Sequence, residues 1–229
     1  MRTKIHTLLY MGLFLWAIPG LAVVKPHVIS FGKWTTVKWV AGADESKPID
    51  LKVRGLFVDA HLKEYTTGTP HEVTDRLFVV QRVFRLNDSL PDEAGGTPHW
   101  QWQRGGWLLV DRGTGRVSQV ALPEFDPFYS TASWYRDYGA YCGVSDDGKK
   151  LFAVVMQLGR RKLILKKALG ESGGSNLPDS ACSAPAWQKQ PSRVTFQPRQ
   201  GQAVMFSVRE RTIDLVDDAE DEEGGTGSK

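Results

Sequence analysis

Val144-Ser-Asp-Asp-Gly-Lys-Lys-Leu-Phe-Ala-Val-Val155 is a tight polar turn running into an apolar strand. A variant recurs near the C-terminus as Gln197-Pro-Arg-Gln-Gly-Gln-Ala-Val-Met-Phe-Ser-Val208. Aligned on Gly148 and Gly201, the two copies lie 53 residues apart. That spacing suits one unit of a repeating β-structure. The repeat therefore speaks to architecture before it speaks to function.

On both sides of these turns the chain shows short β-type runs divided by Gly, Pro and Asp clusters, with few stretches of helical period. Strands are expected at His27–Phe31, Thr35–Val40, Leu51–Val58, Leu77–Phe84, Trp107–Val110 and Arg116–Ala121. Further strands are expected at Tyr138–Val144, Lys150–Gln157, Lys162–Lys166, Arg193–Phe196, Ala203–Val208 and Thr212–Val216. The clearest hairpin is Trp107–Val117, whose Asp111-Arg-Gly-Thr-Gly115 connection supplies residues that tolerate positive φ. Residues 41–48 and 87–98 read as irregular, and Ala168–Ser192 as a long linker or surface loop. A short helix over Asp59–Tyr65, capped by Asp59, is a competing reading of that segment.

Grouped in order, Tyr138–Val144, Lys150–Gln157 and Lys162–Lys166 make one antiparallel unit, and Arg193–Phe196, Ala203–Val208 and Thr212–Val216 make a second. The Trp107–Ala121 hairpin reads as the outer two strands of a preceding unit. Ser145-Asp-Asp-Gly-Lys-Lys-Leu151 resembles the signature turn of periplasmic β-propellers, Ser-Pro-Asp-Gly followed by Lys or Arg and an apolar strand. It departs from that turn at Asp146, in the proline position. The second copy keeps Pro198 and Gly201 but carries Gln197, Arg199 and one extra residue, Gln200. The resemblance covers residues 104–216 and implies a propeller-like fold, with no activity attached. Without its first 22 residues the chain has 207, room for four units of ~50 residues. The expectation is an all-β, antiparallel protein with propeller-like units of three to four strands. The alternative is a two-sheet β-sandwich or an open twisted sheet.

Residues 1–22 carry Arg2, Lys4 and His6, an apolar run from Leu8 to Ala17, and small residues at Gly20 and Ala22. This is the layout of a secretory signal peptide, and its apolar core is too short for a spanning helix. An uncleaved N-terminal anchor is the competing reading. The expected organisation is a signal peptide (1–22), one all-β domain (23–216) and an acidic, Gly-rich disordered tail (217–229). The protein is expected in the periplasm or secreted, with no integral membrane segment after signal removal.

Loss of Arg2 and Lys4 leaves 27 of the 29 basic residues against 26 acidic ones. Seven of the acids fall between Asp214 and Glu223, so the body is basic. Nucleic-acid binding is not expected, because the chain carries an export signal and no basic cluster within a recognition motif. Cys142 and Cys182, an even pair in an exported chain, point to a disulfide; two unpaired thiols are the alternative.

The richest segment for chemistry is 123–138, holding Asp126, Tyr129, Trp134, Tyr135, Arg136 and Asp137. In an inter-unit connection these rings would stack on a ligand while Arg136 and the carboxylates fix its orientation. The competing reading is core packing with a structural ion pair. Trp100 and Trp102 alternate with Gln101 and Gln103, so on a strand both indoles share a face and would suit sugar rings. There too, ordinary core packing competes.

Ser130 and Ser133 lie in no nucleophile elbow, and His27, His61, His71 and His99 are too scattered to assemble a triad. His71-Glu-Val-Thr-Asp75 lacks the second histidine and the helix that a zinc-protease motif needs. Asp146-Asp147 reads as turn chemistry. Asn87-Asp-Ser89 is a glycosylation acceptor only in a host that glycosylates exported proteins. No metal site and no cofactor are expected. The leading expectation is an exported, non-enzymatic binding or scaffold protein whose partner is an envelope protein or a glycan. Alternatives are glycan recognition through Trp100 and Trp102, and a hydrolase using Asp126 and Asp137 at a defined separation.

Overall fold

The computed structural model describes residues 26–40, 48–87, 98–171, 182–190, 192–199, 201–209 and 212–215. The expected signal peptide, the acidic tail and most of the three irregular segments lie outside the described residues. Within them the chain is all-β, with no helix. The first strands are β1 (Ile29–Phe31), β2 (Thr35–Trp39), β3 (Ile49–Val58), β4 (His61–Glu72) and β5 (Leu77–Asn87). Next come β6 (Trp100–Asp111), β7 (Arg116–Gln119), β8 (Ser133–Tyr135), β9 (Tyr138–Val144) and β10 (Lys150–Gln157). The last five are β11 (Leu165–Glu171), β12 (Ala186–Gln188), β13 (Arg193–Phe196), β14 (Val204–Arg209) and β15 (Thr212–Leu215).

Seven strands form the first sheet, in the order β1-β3-β2-β6-β5-β4 with β7 on β6. β1 and β2 run along one side of β3, held between them by the Gly32 N–H donating to the Gly55 carbonyl at 2.9 Å. β4 occupies the other side of β3. The sheet also curls, because Trp39 of β2 meets Trp102 of β6 in a parallel pair. One end of the curl is filled by Leu56, Phe78, Val80, Leu108 and Val110.

The Asp59–Tyr65 helix is corrected. Asp59 and Ala60 both have positive φ (50° and 64°) and form the two-residue turn joining β3 to β4. That geometry matches the twist of a hairpin, and the Asp59 carboxylate caps no helix. It accepts the Val28 N–H at 3.0 Å and contacts His27 Nδ1 at 2.7 Å, pinning the residues just before β1. The expected Trp107–Val117 hairpin is present as β6–β7, but its reading as the outer two strands of a preceding unit is corrected, because β6 begins at Trp100 and belongs with β7 to the seven-stranded sheet.

Within that hairpin, the Asp111 carboxylate accepts a forked pair from Arg76 and the Gly113 N–H at 2.8 Å. Arg76, followed by the turn amides, holds this carboxyl well below the usual range. A depressed carboxylate pKa stabilises the fold above the unfolded value of ~3.9, and the contribution is lost as pH falls through the folded value. Melting temperatures recorded from pH 5 down to pH 2 should therefore fall less steeply for Asp111→Asn than for the parent chain. An identical acid limb would remove Asp111 from the account.

Two four-stranded sheets follow, β8-β9-β10-β11 and β12-β13-β14-β15, each an antiparallel meander. β9 and residues 151–156 of β10 are apolar without interruption because both their faces are covered. Ala140, Cys142, Val144, Leu151, Ala153 and Val155 pack on Val194, Phe196 and Phe206 of the last sheet. On the opposite face, Tyr141, Val154 and Met156 pack on Trp107, Leu122, Phe125 and Trp134. A disulfide joins Cys142 to Cys182, with Cα atoms 6.1 Å apart.

Two boundaries differ from expectation for one reason. The β10–β11 connection is longer than a tight turn, since Leu163 packs into the core and the Ile164 N–H bonds the Val155 carbonyl. β11 therefore runs from Leu165 to Glu171 and takes in the start of the expected linker, which also contains β12. Trp134 of β8 and Trp187 of β12 are 53 positions apart, the same spacing as Gly148 and Gly201.

Candidate functional site

A groove of about 940 Å³ lies between the curled sheet and the first four-stranded sheet. One wall is the face of β5 and β6 carrying Arg82, Phe84, Leu86 and Gln103, with Gly105, Gly106 and Trp107 beside it. The facing wall is the connection from Gln119 to Tyr129, and the Val144–Gly148 turn completes the lining. The Asp-Asp-Gly turn that marks the repeat thus also borders this groove.

Local chemistry shapes each wall. At Gly105 a Cβ would come within 3.3 Å of the Phe84 ring and of Arg82 Cβ, so glycine lets that ring lie across β6. At Gly106 a Cβ would meet nothing within 4 Å. β6 carries its irregularity here, opposite Gln81–Val83. The facing connection is pinned by buried Ser130, whose hydroxyl donates to the Cys142 carbonyl at 2.6 Å. Asp126 accepts the Phe128 N–H at 2.8 Å, and its carbonyl accepts the Tyr129 and Ser130 N–H groups. Glu124, at φ 59°, pairs with Lys166 while its carbonyl accepts the Val144 N–H.

Three of the four acids of the groove, Glu124, Asp126 and Asp147, are engaged in holding loops. Ser145 and the Lys149 N–H push the Asp147 carboxyl down, the reverse of what a general acid requires. Ser130 likewise donates to a carbonyl rather than to a base. Arg104 differs from these groups. Its guanidinium is largely buried, lies 4.7 Å from the Trp39 ring, and donates only a 3.4 Å bond to the Ser130 carbonyl. Burial pushes it below the usual arginine value, yet it stays charged at any ordinary pH.

The candidate residues from the sequence divide into three groups. Asp126 and Tyr129 line the groove. Trp134 is packed against Trp107, with ring centroids 5.4 Å apart, and Tyr135 lies 5.6 Å from Trp187. Arg136 and Asp137 form the β8–β9 turn, Arg136 at φ 53°. The Arg136 carbonyl accepts from His71 Nε2 at 2.8 Å, and Asp137 accepts from Gln157 at 2.7 Å. Asp126 and Asp137 therefore do not share the groove lining.

Trp100 and Trp102 form the third group, on one face of β6. Trp100 is 54% exposed, whereas Trp102 is half-buried edge-on to Tyr65 at 5.2 Å. The Arg85 guanidinium lies 5.6 Å and 5.4 Å from the two rings. Sequence reasoning missed Phe84, Gln103, Arg104 and Phe128. The one local signal was Gly105-Gly106 inside a strand, which marks a bulge or a close approach. Among the described residues no group of three or more His, Cys, Asp or Glu side chains could hold a metal ion. No protein-family model, no curated protein and no solved structure matches the chain.

Proposed function

We propose that the chain is an exported, non-enzymatic binding module whose ligand occupies the groove between the curled sheet and the first four-stranded sheet. The observation that carries this reading is the groove itself. It has the size and composition of a ligand site, with aromatic and apolar walls and a few convergent polar groups. Export is supported by the signal-like first 22 residues. Propeller-like units are inferred from residue 133 onward, supported by the shared meander of two sheets and the 53-residue spacing. The hydrolase reading finds no matching support, since Asp126 and Asp137 bond to separate partners and only one lines the groove.

A second reading, glycan stacking on Trp100 and Trp102, is favoured by the exposed Trp100 ring and by Arg85 beside both indoles. Tryptophan fluorescence titrated with cell-wall and polysaccharide fragments separates the two. The groove reading expects a saturable change that Gly106→Leu abolishes and Trp100→Ala leaves intact. The opposite pattern moves the site to the tryptophan face. No saturable change with any fragment ends both.

A further inference from the structure

The two four-stranded sheets run in step. The Ser133 hydroxyl of β8 donates to the Pro185 carbonyl just before β12, and two residues further along both chains Tyr135 lies 5.6 Å from Trp187. β8 and β12 therefore leave their sheets at the same end. Four chain reversals meet there. Arg136–Asp137 joins β8 to β9, and residues 158–164 join β10 to β11. Lys189 opens the turn after β12, and because β13 starts at Arg193 opposite Ser207, Arg209 leaves β14 at this end as well. Arg136 and Lys189 are 53 positions apart, so a cation recurs here with the repeat.

Charge is segregated along the strands. The four reversals present Arg136, Arg160, Arg161, Lys162, Lys189 and Arg209, all exposed. None of these has a carboxylate within ion-pair distance among the described residues. The single described acid in the same turns, Asp137, accepts from Gln157. β4 reaches this end through His71, whose Nε2 bonds the Arg136 carbonyl, and the neighbouring Glu72 is already paired with Arg112. The opposite end is mixed, with Asp146, Asp147 and Glu171 beside Lys149, Lys150 and Arg199.

Strands lie about 4.8 Å apart and packed sheets about 10 Å apart, so the four turns mark the corners of a patch about 10 Å on a side. Like charges gathered on so small a patch repel one another, and an anionic partner removes that repulsion. The cations crown exposed turns rather than line a cleft, so a small anion meets one corner only. A plane of anionic headgroups meets all four, and clusters of about four to eight Lys and Arg bind such planes with each cation adding to the affinity. We propose that this end of the paired sheets is a docking surface for a bilayer rich in anionic phospholipid. It does not rest on the groove being the working surface. The Val144–Gly148 turn that borders the groove lies at the opposite end of β9 and β10, so docking leaves that border facing away from the bilayer.

The test is sedimentation of the full chain with vesicles of phosphatidylcholine alone or mixed equally with phosphatidylglycerol. One triple variant, Arg160→Gln with Arg161→Gln and Lys189→Gln, strips the docking end. A second, Lys149→Gln with Lys150→Gln and Arg199→Gln, makes the same change of net charge at the opposite end. Residues 1–22 are common to all three proteins, so any affinity of that apolar run cancels in the comparison. The parent should bind mixed vesicles about tenfold or more tightly than neutral ones; the docking-end triple should lose about tenfold, and the opposite-end triple less than about threefold. In about 1 M salt, where the screening length is about 3 Å, the preference for mixed vesicles should vanish. Near-ultraviolet circular dichroism checks folding, and Lys189→Gln alone carries the test if the docking-end triple unfolds. Equal losses in the two triples would reduce the effect to net charge and overturn the surface. Equal binding to neutral and mixed vesicles, or none to either, overturns it too. A parent that binds dextran sulfate but not mixed vesicles has a soluble polyanion as its partner, against the proposal. Binding that appears only once the acids of 217–223 are changed to Gln makes the acidic tail the occupant, and the bilayer assignment then fails.

Discussion

Replacing Cys142 and Cys182 together by alanine is expected to lower the unfolding free energy by about 4 kcal/mol, read from urea denaturation. The bridge closes a loop of 40 residues, and chain entropy alone gives that magnitude for a loop of this length. Cys142 sits in the middle of β9, and Cys182 pairs with Pro198 beside β13, so the bond ties the two four-stranded sheets together. Both cysteines are almost fully buried in the cluster shared by those sheets. A change below about 1 kcal/mol would mean that the apolar packing of Val155, Phe196 and Phe206 holds the sheets without it.

Phe78→Ala is expected to cost about 3–5 kcal/mol, the range for truncating a fully buried phenylalanine in a core that cannot collapse around the gap. Phe78 is inaccessible to solvent and packs with Leu56, Val80, Leu108 and Val110 inside the curled sheet. Its ring centroid lies 6.0 Å from that of Phe31, and the Arg112 guanidinium lies 4.6 Å from it. Arg112 is itself tied to Glu72 by two 2.8 Å bonds, so it is not free to fill the gap. Thermal or urea unfolding measures the loss. A cost under 1 kcal/mol would contradict the placement of this ring at the centre of the sheet.

Local signals located much of the frame. β9, β10 and β13 have the boundaries that their apolar runs and flanking turns predict, because strand and turn chemistry there agree. β4 was hidden by its entry turn, since Asp59-Ala60 adopts a conformation usually given to Asn-Gly or Asp-Gly. β8 and β12 are three residues long and carry almost no periodicity, although Trp134 and Trp187 repeat at the 53-residue spacing.

The candidate site was legible only in part. The aromatic connection 123–138 was visible as a cluster, but whether a ring meets ligand or core depends on what packs opposite it. Trp134 meets Trp107, and Tyr129 packs on the core shared by the two four-stranded sheets while also lining the groove with Asp126. The groove is assembled from residues 82–86, 103–107, 119–129 and 144–148, which only the pairing of β5 with β6 and the covering of β9 bring together. No local pattern reports such a convergence.

The most direct measurement of the groove's role is a crystal structure of the chain grown with the polysaccharide fragment that gives the strongest saturable fluorescence change. The account predicts that fragment in the groove, between Phe84 and Phe128. Sugar stacked on Trp100 and Trp102, with the groove holding only solvent, would contradict it.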